Sequence, residues 1–200
     1  MADELYLNLM YPGFDEAAMA PRLLSLIKNF PFSATRQGVG YVSVLPISWN
    51  EPTIFERSFQ EPAEPQVAIA LLEEFAHDDY AMEVEAAWDL WVPKQEGSLD
   101  PSWTLQPQTV RFIAHGLDFD EACYKEDGHI QINFGLDTYF LYEEADYTPQ
   151  VAARVKSNIQ KLVGYTQAIE MNCGITGRVL WSESEENLAQ KLIAKLQKVQ

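Results

Sequence analysis

Residues 82–92 alternate between apolar and polar side chains more regularly than any other segment of the chain. A period of two indicates a strand with one buried and one exposed face. The face predicted to be buried consists of Met82, Val84, Ala86, Trp88, Leu90 and Val92. Residues 80–91 can also be interpreted as a helix, since Tyr80, Val84, Trp88 and Trp91 form a stripe. A strand keeps Glu83, Glu85 and Asp89 out of the core, so we predict a strand.

Three strands and two helices are predicted before this strand. Apolar spacing predicts three strands and two helices: strands at 4–11, 39–45 and 53–59, and helices beginning near Ala18 and Pro65. The resulting order is strand, helix, strand, strand, helix, strand, which is that of the split-βαβ, ferredoxin-like fold. Residues 1–92 are therefore predicted to form a ferredoxin-like α+β unit. That fold hosts many unrelated activities and does not indicate a function.

A linker and a second unit are predicted after this strand. Residues 93–107 contain Pro93, Gly97, Pro101 and Pro107 with few periodic apolar positions, which is typical of a linker. Glycine turns then divide the next segment into a predicted antiparallel meander of four strands, at 109–115, 119–126, 129–134 and 138–142. A short helix at 119–126 is the alternative. Two C-terminal helices, the first opened by Thr148 and Pro149, complete the unit 108–200, which either folds separately or shares one core with the first unit.

The chain is strongly acidic. Thirty Asp and Glu residues against 14 Lys and Arg give a formal net charge of −16 over 200 residues. Residues 1–100 hold 17 of the acidic residues and five of the basic ones. An electronegative surface repels phosphate backbones, and no segment forms a basic patch, so we expect no nucleic-acid binding.

Leader, membrane-span and cysteine patterns indicate where the protein is located. The first residues lack the basic segment of a secretory leader, and no apolar run is long enough to span a membrane. Cys123 and Cys173 lack the spacing of a metal site and are expected to be free thiols. We therefore expect a cytoplasmic protein without membrane association.

The predicted meander offers one candidate metal site. Its two Gly-Leu-Asp turns lie at one end of the sheet, where His115, Asp118, Asp120 and Asp137 would gather. These are ligand types suited to a divalent cation, although aspartate also favours turns and no motif fixes the spacing. His129 would lie at the other end of the sheet, roughly 17 Å from His115 along a strand. No other cofactor is predicted.

Three hypotheses for function follow. The first is a non-enzymatic binding protein that presents an acidic face to a basic protein partner, since opposite charge accelerates association. Its candidate residues are Glu83, Glu85, Asp89, Trp91 and Trp49, although the two tryptophans can equally pack under the second half of the chain, which is the interpretation we favour. The hypothesis requires the acidic residues to form one patch with Glu56 or Glu73. The second is an enzyme or small-ligand module at the candidate metal site, although the chain contains no nucleophile motif. The third is a homo-oligomeric structural protein.

Overall fold

The computed structural model describes residues 3–93, 103–142, 148–183 and 187–197. The strands are β1 (Glu4–Met10), β2 (Val39–Pro46), β3 (Phe55–Ala63), β4 (Tyr80–Pro93), β5 (Trp103–His115), β6 (Ile130–Leu136) and β7 (Gly177–Ser182). The helices are α1 (Glu16–Lys28), α2 (Pro65–Glu73), α3 (Tyr124–Asp127), α4 (Thr138–Leu141), α5 (Pro149–Asn172) and α6 (Leu188–Gln197). The fold class is α+β, as predicted. None of the helices in these ranges is both long and apolar enough to cross a membrane.

The strands form one antiparallel sheet in the order β3-β2-β4-β5-β6-β1-β7. One face of this sheet is apolar, and cross-strand neighbours make a continuous row over six strands: Leu180, Leu7, Ile132, Phe112, Val84 and Val42. Buried side chains of α1, α2, α5 and α6 pack with this row in a single hydrophobic cluster. The long helices therefore cover one face of the sheet, which we call the inner face.

The strand predicted from alternation is confirmed as β4. All six residues of its predicted buried face are at most 6% exposed. The starts of two helices also follow local chemistry. The Asp15 carboxylate accepts a hydrogen bond from the Ala18 backbone N–H at the start of α1, and the Thr148 hydroxyl accepts one from Val151 at the start of α5.

The predicted ferredoxin-like unit is wrong in its strand pairing. The order of elements over residues 1–92 is as predicted, from β1 to β4. However, β5 and β6 lie between β4 and β1, and β1 pairs with β6 and β7 instead of strands from its own half. The physical reason is that the apolar face of β1 can pack in any buried strand position, so its neighbours are set by long-range packing and not by its own sequence.

The predicted four-strand meander is also wrong in two of its strands. Residues 119–127 form a turn at Phe119–Glu121 followed by α3, and residues 138–141 form α4. Asp120, Glu121 and Ala122 all have positive φ angles, from 46° to 64°, a left-handed conformation that no strand adopts. The alternative of helical structure at 119–126 is closer to what is observed.

The predicted linker contains strand residues. β4 extends to Pro93, and β5 begins at Trp103, which is the direct cross-strand partner of Pro93. The intervening part of 93–107 lies outside the described residues. Residues from both halves of the chain belong to the one hydrophobic cluster that covers the inner face.

Candidate functional site

The opposite face of the sheet, which we call the outer face, is polar and aromatic. One row of cross-strand neighbours runs across all seven strands: Ser58, Tyr41, Glu85, Arg111, Asn133, Tyr6 and Trp181. The adjacent row contains Glu56, Ser43, Glu83, Ile113, Gln131, Asn8 and Val179. The outer face is covered by protein at one end, where Phe119 packs with Ala81 and Ile113.

Two carboxylates share one guanidinium near the middle of the outer face. Arg111 Nε lies 3.2 Å from Glu85 Oε1 and 3.7 Å from Glu83 Oε1. The side chains of Glu83 and Glu85 are 17% and 28% exposed, whereas that of Arg111 is 55% exposed. Because one cation faces two anions, this group of three side chains carries an excess negative charge.

These side chains line a cleft of about 570 Å³, together with Tyr41 and Arg36. That volume is in the range of small-molecule and side-chain binding pockets. A second arginine in the cleft means that its lining mixes both signs of charge. Tyr41 extends the acidic part, since its hydroxyl donates a hydrogen bond to Glu56 Oε2 over 3.1 Å.

Burial sets the electrostatics of the cleft. Desolvation raises the pKa of Glu83, and the nearby Arg111 opposes this effect only in part. Ser43 donates a hydrogen bond to Glu83 Oε2 at 3.4 Å, which also favours the ionised form. Ionised Glu83 therefore costs the folded protein free energy that a further cation in the cleft would offset.

The structure brings together some of the predicted binding residues and separates others. Glu83, Glu85 and Glu56 share the outer face, with Glu56 about 10 Å from Glu83 across β2. Asp89 lies about 13 Å from Glu85 along β4. Its carboxylate accepts a hydrogen bond from the Ala34 backbone N–H, so it stabilises the segment before β2.

Trp91 contacts two residues of helix α5. The Arg154 guanidinium lies 5.0 Å from the centroid of its ring, and the Asn158 side chain bonds to both its backbone N–H and its carbonyl oxygen. Its side chain therefore packs under α5, away from the cleft. The remaining predicted aromatic, Trp49, lies in the loop between β2 and β3 and is 40% exposed.

The predicted metal site is not assembled. His115 lies at the end of β5, whereas Asp137 follows the opposite end of β6 and accepts a hydrogen bond from the Ser182 hydroxyl. Asp118 and Asp120 follow His115 in the loop after β5, where Asp118 is exposed and Asp120 is half-buried. Among the residues that the structure describes, no group of three or more His, Cys, Asp and Glu side chains could hold a metal ion.

The two histidines of the meander are neighbours, contrary to the predicted separation. The His115 backbone N–H donates to the His129 carbonyl oxygen over 2.9 Å. The prediction failed because it required a full strand at 119–126 between them. Burial lowers the pKa of both imidazoles, and the pKa of His129 is lowered further by His115.

Comparison with known proteins gives no match to a family model, to a curated protein or to a solved structure. Function must therefore be inferred from the chain's own residues.

Sequence reasoning missed the other residues of the row that contains Glu85. Arg111, Tyr41, Tyr6 and Trp181 come from four different strands and share this row only through the order of the sheet. Tyr6 and Trp181 stack with their ring centroids 4.6 Å apart. The alternation within β4 identified the outer face, but only the cross-strand register shows which side chains share it.

Proposed function

We propose that the chain is a non-enzymatic binding protein whose outer face receives a basic protein partner. The observation that carries this proposal is the single row of the outer face that contains Tyr41, Arg111, Tyr6 and Trp181. Tyrosine, tryptophan and arginine are the residues most enriched at the energetic centres of protein interfaces. They lie on the sheet face opposite the long helices, where Arg111 is exposed and the three aromatic side chains are half-buried, and they support a role in protein binding.

The charge of the partner follows from the carboxylates around this row. Glu83 and Glu85 share one arginine, and Glu56 lies in the same row as Glu83. The net charge of −16 adds a long-range field of the same sign. Three carboxylates, those of Glu56, Glu83 and Glu85, face the guanidiniums of Arg36 and Arg111. A lysine or arginine of the partner that enters the cleft would compensate the remaining negative charge and offset the cost of ionised Glu83.

The other two hypotheses have less support. An enzyme or metal module at the meander required four ligands that lie at two ends of the sheet. A homo-oligomer would pair the edge strands β3 or β7, and light scattering on the isolated chain distinguishes that arrangement from partner binding. We also propose a cytoplasmic location, a reducing compartment in which Cys123 and Cys173 would stay free thiols.

The double substitution Glu83→Gln/Glu85→Gln tests the proposed function. We expect it to weaken binding of a short fluorescent oligolysine peptide by about tenfold or more, measured by fluorescence anisotropy at low salt. The fold should persist, because glutamine keeps the shape of both side chains and removes a buried charge.

The matched control is Glu73→Gln/Glu74→Gln, which changes the net charge by the same amount at the exposed end of α2. This variant should bind the peptide almost as well as the natural protein does. Equal weakening by both double variants would show that only net charge matters and would contradict a site on the outer face.

A further inference from the structure

Three loops are joined at the covered end of the outer face. The Ile47 backbone N–H donates to the Asp79 carbonyl, and the Asp120 N–H donates to the Ile47 carbonyl, both over 2.7 Å. The Asp118 N–H donates to the Asp78 carbonyl over 2.9 Å. The loop between β2 and β3 is thus fixed to the loops before β4 and after β5.

This fixed loop exposes apolar side chains. Ile47 is 62% exposed, Trp49 is 40% exposed and Ile54 is 46% exposed, all within eight residues of chain. We call these three residues the Trp49 surface. A contiguous exposed apolar surface marks an interaction site, whereas single exposed apolar residues do not.

Ile47 is held in a conformation that its side chain disfavours. Its φ angle is 63°, in the left-handed region, where a β-branched residue is a rare outlier. Glycine or asparagine would adopt this angle at lower cost. An isoleucine that is both strained and exposed contributes little to the stability of the fold, which indicates a role outside it.

Trp49 is positioned rigidly by its neighbours. Its ring makes edge-to-face contacts with Phe119, at a centroid distance of 5.0 Å, and with His115, at 5.8 Å. Both supporting rings are fully buried. An aromatic side chain that is already fixed loses little conformational entropy when a partner covers its exposed part.

The rim of the Trp49 surface is acidic. The described loops 47–54, 77–80 and 116–122 contain no lysine or arginine, and their acidic residues are Glu51, Asp78, Asp79, Asp118, Asp120 and Glu121. An apolar centre with an anionic rim is complementary to a segment that carries apolar side chains flanked by lysine or arginine. It is not complementary to an anionic membrane surface.

We propose that the Trp49 surface is the apolar anchor for the same basic partner that the outer face receives. Glu83 lies only two residues along β4 from Ala81, which packs beneath the loop region with Phe119, so the cleft and the anchor are adjacent. This inference rests on the proposed function and specifies the partner: its binding segment combines basic residues with exposed aliphatic or aromatic ones.

Two defined peptides test the proposal: oligolysine, and a peptide of the same length in which leucine alternates with lysine. The natural protein should bind the leucine-containing peptide about tenfold more tightly. Ile47→Asn and Trp49→Ala should each reduce this preference to about twofold while binding of oligolysine stays unchanged. Glu83→Gln/Glu85→Gln should weaken binding of both peptides.

Ile47→Asn also controls for loss of fold, because asparagine tolerates the left-handed angle and the variant should melt at a higher temperature than the natural protein. A preference for the leucine-containing peptide that survives both single substitutions would overturn the anchor and leave the outer-face site intact. Failure of oligolysine to bind the natural protein would instead overturn the proposed function and the anchor with it. Dimerisation abolished by Trp49→Ala would identify a second copy as the occupant and also overturn the proposal.

Discussion

Gly116→Ala should destabilise the protein by about 3 kcal/mol, because the added methyl group would occupy space already filled by backbone. A Cβ at this position would lie 2.6 Å from the Asp78 carbonyl carbon and 2.7 Å from the His77 carbonyl oxygen. The neighbouring loop cannot retreat freely, since the Gly116 N–H donates to the Tyr80 carbonyl over 2.8 Å. Urea unfolding measures the change in stability.

Gly164→Ala is the control for this substitution. Gly164 is exposed within α5, and a Cβ there would meet nothing within 4 Å. Alanine is the better helix former, so this variant should be more stable by about 1 kcal/mol. An unfolding midpoint of Gly116→Ala equal to that of the natural protein would show that the loops supporting Trp49 are not closely packed.

Acidification should destabilise the fold through its two buried histidines. The His115 Nδ1 lies 2.9 Å from the Gly128 carbonyl oxygen, which can only accept, so Nδ1 carries the proton. Its Nε2 is buried without a hydrogen-bond partner among the described residues. His129 Nδ1 accepts a hydrogen bond from the Tyr11 N–H over 3.0 Å. Adding a proton would leave a buried charge at His115 and would break the hydrogen bond at His129.

The direction of the pH dependence of stability follows from the direction of the pKa shifts of His115 and His129. Burial lowers the folded-state pKa of both histidines below the ordinary value of 6.5, although Gly128, Asp127 and Asp120 oppose the effect at His115. Below about pH 6.5 the unfolded chain binds protons that the folded protein does not, so stability falls as the pH falls. The slope approaches about 1.4 kcal/mol per pH unit for each histidine and ends at the folded-state pKa.

Glu83 acts in the opposite direction, because its raised pKa lets the folded protein bind a proton more readily than the unfolded chain does. The contribution of His115 is therefore isolated by comparing variants. The slope of stability against pH should be smaller in His115→Phe than in the natural protein. An unchanged slope in His115→Phe would contradict the burial of a neutral imidazole.

Local patterns were sufficient to predict most elements of this fold. The alternation over residues 82–92 identified β4 and its two faces, because a half-buried strand leaves a period of two in its own sequence. Thr148 and Pro149 marked the start of α5 through capping chemistry that acts within one turn. These signals depend only on residues close together in the chain.

The arrangement of the elements could not be predicted in the same way. The Gly-Leu-Asp tripeptides were interpreted as hairpin turns, but three consecutive left-handed residues at Asp120–Ala122 and the helix α4 replace the expected strands. The position of β1 between β6 and β7 depends on packing across more than a hundred residues of sequence.

The residues of the candidate site could likewise be predicted only where they lie on one strand. Glu83 and Glu85 were predicted because they lie on one strand, whereas their shared partner Arg111 was not, since the pairing of β4 with β5 sets that contact. Alternation places Trp91 on the face opposite Trp88, where it was expected to be an interaction residue or to pack under the second half of the chain. It packs against Arg154 at a strand edge that the pattern does not describe.

The central claim is that the outer face of the sheet binds cationic segments of a protein partner. The most direct measurement is an NMR titration of the isotope-labelled protein with the oligolysine peptide, following backbone amides and the carboxylate of Glu83. The largest shifts should lie at Tyr41, Glu83, Glu85 and Arg111, and the pKa of Glu83 should fall when the peptide is bound. Shifts that are largest on α1 and α5, or spread evenly over all acidic residues, would contradict the claim.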